Sequence, residues 1–137
     1  MSKAIVRAAF ELRLSTWAAT QGLPLAFEAA PYTPTTGQSY LRGLLVPAPT
    51  QDPSLGAIHR RYVGDYQVSI YTPDGAGPGA SQAIEAGIEA LFPRGLGMTQ
   101  AGHVIANERP PWPTTLVPRD GWIHTPVSIR YRLDRFS

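Results

Sequence analysis

The spacing of hydrophobic positions changes along this chain, and each spacing predicts an element. Val6, Phe10, Leu14 and Trp17 recur at steps of four, four and three, which puts them on one side of a helix. Ile5, Ala9 and Leu12 widen that stripe, while Arg7, Glu11 and Arg13 flank it. Gly22 and then Pro24 supply a stop, so residues 3–20 are expected to be helical, with Trp17 as a core anchor. Between residues 58 and 72 the period drops to two. Tyr66, Val68 and Ile70 alternate with Gln67, Ser69 and Tyr71, one face apolar and the other mixed. Gly64-Asp65 reads as a bulge or bend in this long strand. The same alternation returns over 122–133, with Val127, Ile129, Tyr131 and Leu133 on one face and Ser128, Arg130 and Arg132 on the other.

A second helix is expected over 78–92, its stripe made by Ala80, Ala83, Ile84, Gly87, Ile88 and Leu91 and its stop by Pro93-Arg94-Gly95. Gly87 inside it costs about 1 kcal/mol against alanine, which close packing on a sheet would offset. Shorter extended segments are expected at 25–28, 39–47 and 103–108. Pro110-Pro111-Trp112-Pro113 reads as a stiff loop before a short edge strand at 116–117. Together these give an α+β fold: a largely antiparallel or mixed β-sheet with two helices packed on one face, and residues 1–137 forming one domain.

Composition narrows the chemistry. The chain has no cysteine, which removes disulfides, thiolate metal sites and cysteine nucleophiles together. Twelve basic residues against ten acidic ones give a net charge of +2, too little for a dedicated nucleic-acid binder. No apolar run reaches the length that crosses a bilayer. The amphipathic start, with Glu11 and Arg13 inside it, does not read as a signal peptide, so the protein is expected to act inside the cell that makes it. Its 14 prolines and 13 glycines punctuate strands and loops along the chain instead of forming one linker.

Candidate catalytic motifs are incomplete. His59, His103 and His124 lack metal-ligand spacing. Gly75-Ala76-Gly77-Pro78-Gly79-Ala80 lies between a strand and a helix as a phosphate loop would. Its spacing is wrong, however, no Walker lysine follows, and Pro78 removes an amide, so it reads as a turn. No Gly-x-Ser-x-Gly elbow occurs. Glu85 and Glu89 share a helix face, where a solvated role outweighs an acid/base pair. His59-Arg60-Arg61 is the densest basic run and suits an ion-pairing edge or a subunit contact. Trp112 is a candidate interface anchor, since tryptophan is favoured among binding hot spots. No cofactor and no metal are expected.

In order along the chain stand Trp17, Pro24-Leu25-Ala26-Phe27-Glu28, Tyr40-Leu41-Arg42 and Leu44-Leu45-Val46-Pro47. Arg60-Arg61, Gly64, Tyr66-Gln67-Val68-Ser69-Ile70 and Leu91-Phe92-Pro93-Arg94-Gly95 come next. Asp120-Gly121-Trp122 and Pro126-Val127-Ser128-Ile129-Arg130-Tyr131 close the series. This series resembles the tail terminator proteins of long-tailed phages and prophages over nearly the whole chain. Ala29 departs from it where asparagine would follow the glutamate, and Asp65 departs where an apolar residue is common.

The resemblance implies an α+β structural protein without catalytic residues. Such a protein forms a hexameric ring on the end of the tail tube, stops its polymerisation and supplies the head-joining surface. The implied partners are the tail tube protein, a head-completion or neck protein and further copies of the chain. DNA would pass only through the lumen and no membrane would be involved. Assembly would take place in the host cytoplasm and the product would sit in the virion tail.

Candidate interface residues are Arg42, Arg60, Arg61, Trp112, Arg130 and Arg132. Arg42, Arg130 and Arg132 would either pair with acidic groups on the tube protein or form an ordinary solvated strand face. Proline-rich loops at 31–37, 47–56 and 110–118 are further candidates, because a stiff loop loses less entropy on ordering. Two alternatives stand beside this reading. One is another neck or minor tail component; the other, of a different class, is a small-molecule enzyme using the turn near Gly75 and His124.

Overall fold

In the computed structural model the described residues are 2–27, 32–34, 37–49, 59–73, 75, 78–100, 102–108, 110–113, 117–119 and 121–136. A helix, α1 (Ser2–Gln21), leads to strands β1 (Leu25–Ala26), β2 (Tyr40–Pro47) and β3 (His59–Pro73). A second helix, α2 (Pro78–Leu91), follows. Then come β4 (Gly97–Gln100), β5 (His103–Asn107), β6 (Trp112–Pro113), β7 (Val117–Arg119) and β8 (Trp122–Phe136). All eight strands share one sheet with the order β1-β2-β3-β8-β5-β4, and β6 and β7 also pair with β8. Only β1 on β2 is parallel, so the sheet is mixed and the class is α+β as the periodicities require.

The two strongest alternations in the sequence form the centre. β3 and β8, fifteen residues each, pair from His59 opposite Phe136 to Pro73 opposite Trp122. The free side of β8 is then taken in turn by β7, β6 and β5, opposite Trp122–His124, Val127–Ser128 and Tyr131–Leu133. The segment expected as a stiff loop and one edge strand therefore holds two short strands, β6 and β7. Leu116 lies outside the described residues. The β4–β5 hairpin was not expected as a pair, because residues 97–100 carry no alternation of their own.

The register runs unbroken through Gly64 opposite Tyr131 and Asp65 opposite Arg130, so of the expected bulge or bend the bulge is absent. Gly64 answers a different need. A Cβ there would lie 2.6 Å from the Val46 carbonyl oxygen and 2.8 Å from the Tyr131 hydroxyl. The pairing of β3 with β2 ends at Gly64 opposite Pro47, so Arg60 and Arg61 lie on a stretch with β8 on one side and, among the described residues, no strand on the other.

Both helices cover one face of the sheet. Val6, Phe10, Leu14 and Ala18 of α1 are buried against Leu41, Leu45, Tyr66, Val68 and Ile70 and against the apolar row of β8. Phe10 stacks on Tyr66 with ring centroids 4.6 Å apart and also meets Phe92 and Tyr131. Burying each such side chain contributes about 1.5–3 kcal/mol. Trp17 is half-buried at the margin of this core. Leu12, expected in the buried stripe, is 64% exposed, because the stripe is completed by Ala18 on the other flank. On α2, Ile88 is buried as expected, but Ala83 is exposed and Ser81 is buried in its place.

Gly87 packs against Trp17, and not against the sheet as expected. A Cβ at residue 87 would clash with the edge of the indole ring at Cζ2, so the missing side chain lets Trp17 of α1 lie close against α2. α1 ends at Gly22, whose φ of 68° suits a residue without a Cβ. The amide of Gly22 donates to the Ala19 carbonyl and that of Leu23 to the Ala18 carbonyl, closing the last turn as a Schellman motif.

Candidate assembly surface

Alternation along β2, β3 and β8 sends the second set of side chains to the face away from the helices. Register puts Arg42, Arg61, Trp112, Arg130 and Arg132 on this face. Arg60 falls on the opposite side and is exposed. The candidate residues thus gather on one face, but three of the arginines already have partners in the chain. Arg61 Nε donates to Asp134 Oδ1 at 2.9 Å. Arg132 Nε lies 3.1 Å from Asp134 Oδ2 and 3.9 Å from Glu108 Oε1, close enough for ion pairing but not aligned for a hydrogen bond. Arg130 Nη1 donates to Asp65 Oδ1 at 3.4 Å. Asp65, the departure in the middle of β3, is thus the acid that answers Arg130 directly across the sheet. These side chains are about one-quarter to two-fifths exposed, so each pair contributes about 0–1 kcal/mol and is weakened by salt.

Arg42 acts differently. Its Nη1 donates to the Phe27 carbonyl at 3.2 Å and so fixes the segment that leaves β1. Trp112 is half-buried opposite Ser128. Loop residues 28–31, 35–36, 50–58 and 114–116 lie outside the described residues.

At the other end of the same face an aromatic row crosses three strands. Tyr40 of β2 stacks on Tyr71 of β3 at 4.7 Å, and Tyr71 stacks on His124 of β8, also at 4.7 Å. Tyr32 and Trp122 close on Tyr40 at 4.9 and 5.3 Å. Burial, reinforced by Tyr71, raises the Tyr40 hydroxyl above its ordinary value of 10.0, while Arg42 pulls it the other way. Burial and then Asp65 raise Tyr131 in the same sense, against Arg130. Sequence reading missed this row because its members come from separate strands. The signal that could have found it is the register bringing Tyr40, Tyr71 and His124 side by side.

Two edges of the sheet carry apolar surface. Phe27, just past β1, is 45% exposed, and Leu44 and Val46 of β2 are also exposed. On the opposite side a groove of about 560 Å³ runs between α1 and β4, with Leu12 and Trp17 on one wall and Met98 on the other. Arg13 stands beside it, its Nε donating to the Leu91 carbonyl at 2.8 Å and its guanidinium over the Phe92 ring. On α2, burial and then Glu89 raise the Glu85 carboxyl, and Glu89 itself is exposed. Among the described residues no group of three or more His, Asp or Glu side chains could hold a metal, and no helix is long and apolar enough to cross a membrane.

The family model of the phage tail terminator protein matches residues 5–131, from the first turns of α1 to within the final strand. The chain belongs to this family. This family is structural and not enzymatic. One protein of solved structure is 34% identical to the chain, covers 97% of it and 96% of its own length, and superimposes with a TM-score of 0.81. A chain from the virion of a native gene transfer agent (GTA) particle is 18% identical over 96% of both chains. Its TM-score of 0.65 is a likeness of fold. No curated protein matches the chain.

Proposed function

We propose that this chain closes the tail tube. Copies of it form a hexameric ring on the tube end, stop further polymerisation and present the surface to which the head-completion protein joins. The observation that carries the reading is the family match across residues 5–131, which takes in both helices and most of the sheet. The geometry is consistent with it. The two ends of the sheet are different surfaces, as a head-to-tail ring contact requires. The face of β2, β3 and β8 away from the helices offers arginines, acids and aromatic rings to a protein partner. On this reading the chain has no catalytic task and no cofactor, assembly takes place in the host cytoplasm, and the product resides in the virion tail. DNA crosses the lumen without being bound. The test is the tail itself. Electron microscopy of a lysate lacking the gene should show tails of abnormal and excessive length. Tails of normal length without heads would point to a neck protein, and normal virions would refute a tail role.

A further inference from the structure

We propose that the free edge of β4, together with the groove between it and α1, receives the β1 edge and Phe27 of a second copy of this chain. The inference rests on the ring reading and names the contact that builds it. β4 ends the strand order, with β5 on one side and no strand on the other among the described residues. Its outward amides and carbonyls therefore have the pairing capacity that an added strand satisfies. Beside that edge lies the groove of about 560 Å³, lined by all four residues of β4 and by Leu12 and Trp17 of α1. A strand-shaped occupant that also carries a large apolar side chain fits both features at once.

The same chain offers such an occupant at the other end of its sheet. β1 ends the strand order there, pairs only with β2 among the described residues, and is followed by exposed Phe27. The Phe27 carbonyl is held by Arg42, which keeps the segment in place instead of leaving it to find an arrangement on docking. Preorganisation of this kind lowers the entropy lost on binding. Because donor and acceptor surfaces lie at opposite ends of one sheet, each added copy leaves the complementary surface open for the next. A contact of that type closes into a ring when its rotation allows.

The test exploits the absence of cysteine from the chain. Phe27→Cys is combined in turn with Leu12→Cys, Thr99→Cys and Gln100→Cys, and each full chain is oxidised on tail tubes isolated from a gene-deficient lysate. Residues facing one another on paired strands have Cα atoms about 4.5–5.5 Å apart, within disulfide reach. At least one pair should give a ladder of covalent oligomers ending in a single closed species, while single-cysteine variants stop at dimers. Leu12→Glu should cut ring yield at least tenfold and leave the monomer's melting temperature unchanged, because Leu12 is exposed. Rings on the tubes with no ladder from any pair would overturn this contact and leave the ring reading standing. Tubes that bind no chain would overturn both. A ladder that lengthens without closing would support the edge contact and refute the ring.

Discussion

Gly87→Ala should destabilise this protein although alanine is the better helix former. In a helix interior the change is worth about 1 kcal/mol in favour of alanine. Against it stands the indole of Trp17, which occupies the space the new methyl group needs. Forcing an extra carbon into packed surroundings costs about 1–3 kcal/mol. The net loss is therefore about 0–2 kcal/mol, and each 1 kcal/mol lowers the melting temperature by about 3–5 °C in a chain of this size. The decisive comparison is the same substitution in a Trp17→Leu background. There the obstacle is gone, and Gly87→Ala should raise stability by up to about 1 kcal/mol. Thermal and urea unfolding of the four proteins closes the cycle, with a coupling of about 1–3 kcal/mol. A stabilising effect in both backgrounds, or the same effect in both, would refute the claim that the indole determines the residue at position 87.

The ion pairs on the outer face should matter little to folding. Asp65→Asn should cost about 0–1 kcal/mol in low salt and less at high ionic strength, read from urea midpoints; a loss above about 3 kcal/mol would mean a buried pair. The alkaline limb of stability should show the buried tyrosines. Tyr40 and Tyr131 both sit above their ordinary value of 10.0 in the folded protein. The unfolded tyrosines thus lose their protons first, so stability is unaffected below about pH 10 and falls as pH rises through the folded values. Melting temperatures followed from pH 9 upward should show the fall, and Tyr131→Phe should flatten it.

The helices and the two central strands were legible because each repeats its period over many residues. Val6, Phe10 and Leu14 mark one helix face, and Val127, Ile129 and Leu133 mark one sheet face, whatever the rest of the chain does. The short strands were not legible in the same way. Trp112–Pro113 and Gly97–Gln100 contain too few residues to show a period, and they become strands through pairing with β8 and β5. The candidate surface was half legible. Strand alternation put Arg130 and Arg132 on the polar face, but their partners depend on register. Asp65 lies in another strand, opposite Arg130 only because β3 and β8 pair without a bulge. Leu12 shows the limit of stripe reading on a helix covered from one side: the stripe was found and its edge misplaced by one flank.

The position of β8 in the sheet also bears on how the chain folds as it is made. This strand occupies the middle, touching β3 along one side and three short strands along the other. Its partners on β3 are distant in sequence, as His59 and Phe136 are. Pairing of such remote segments is slow, because a long loop must close before any contact rewards it. Until residues 122–136 leave the ribosome, β3 exposes one edge, β5 has only β4 beside it, and β6 and β7 lack the strand they pair with. Emerging chains should therefore be the aggregation-prone species, and deletion of these residues should abolish the fold instead of trimming it.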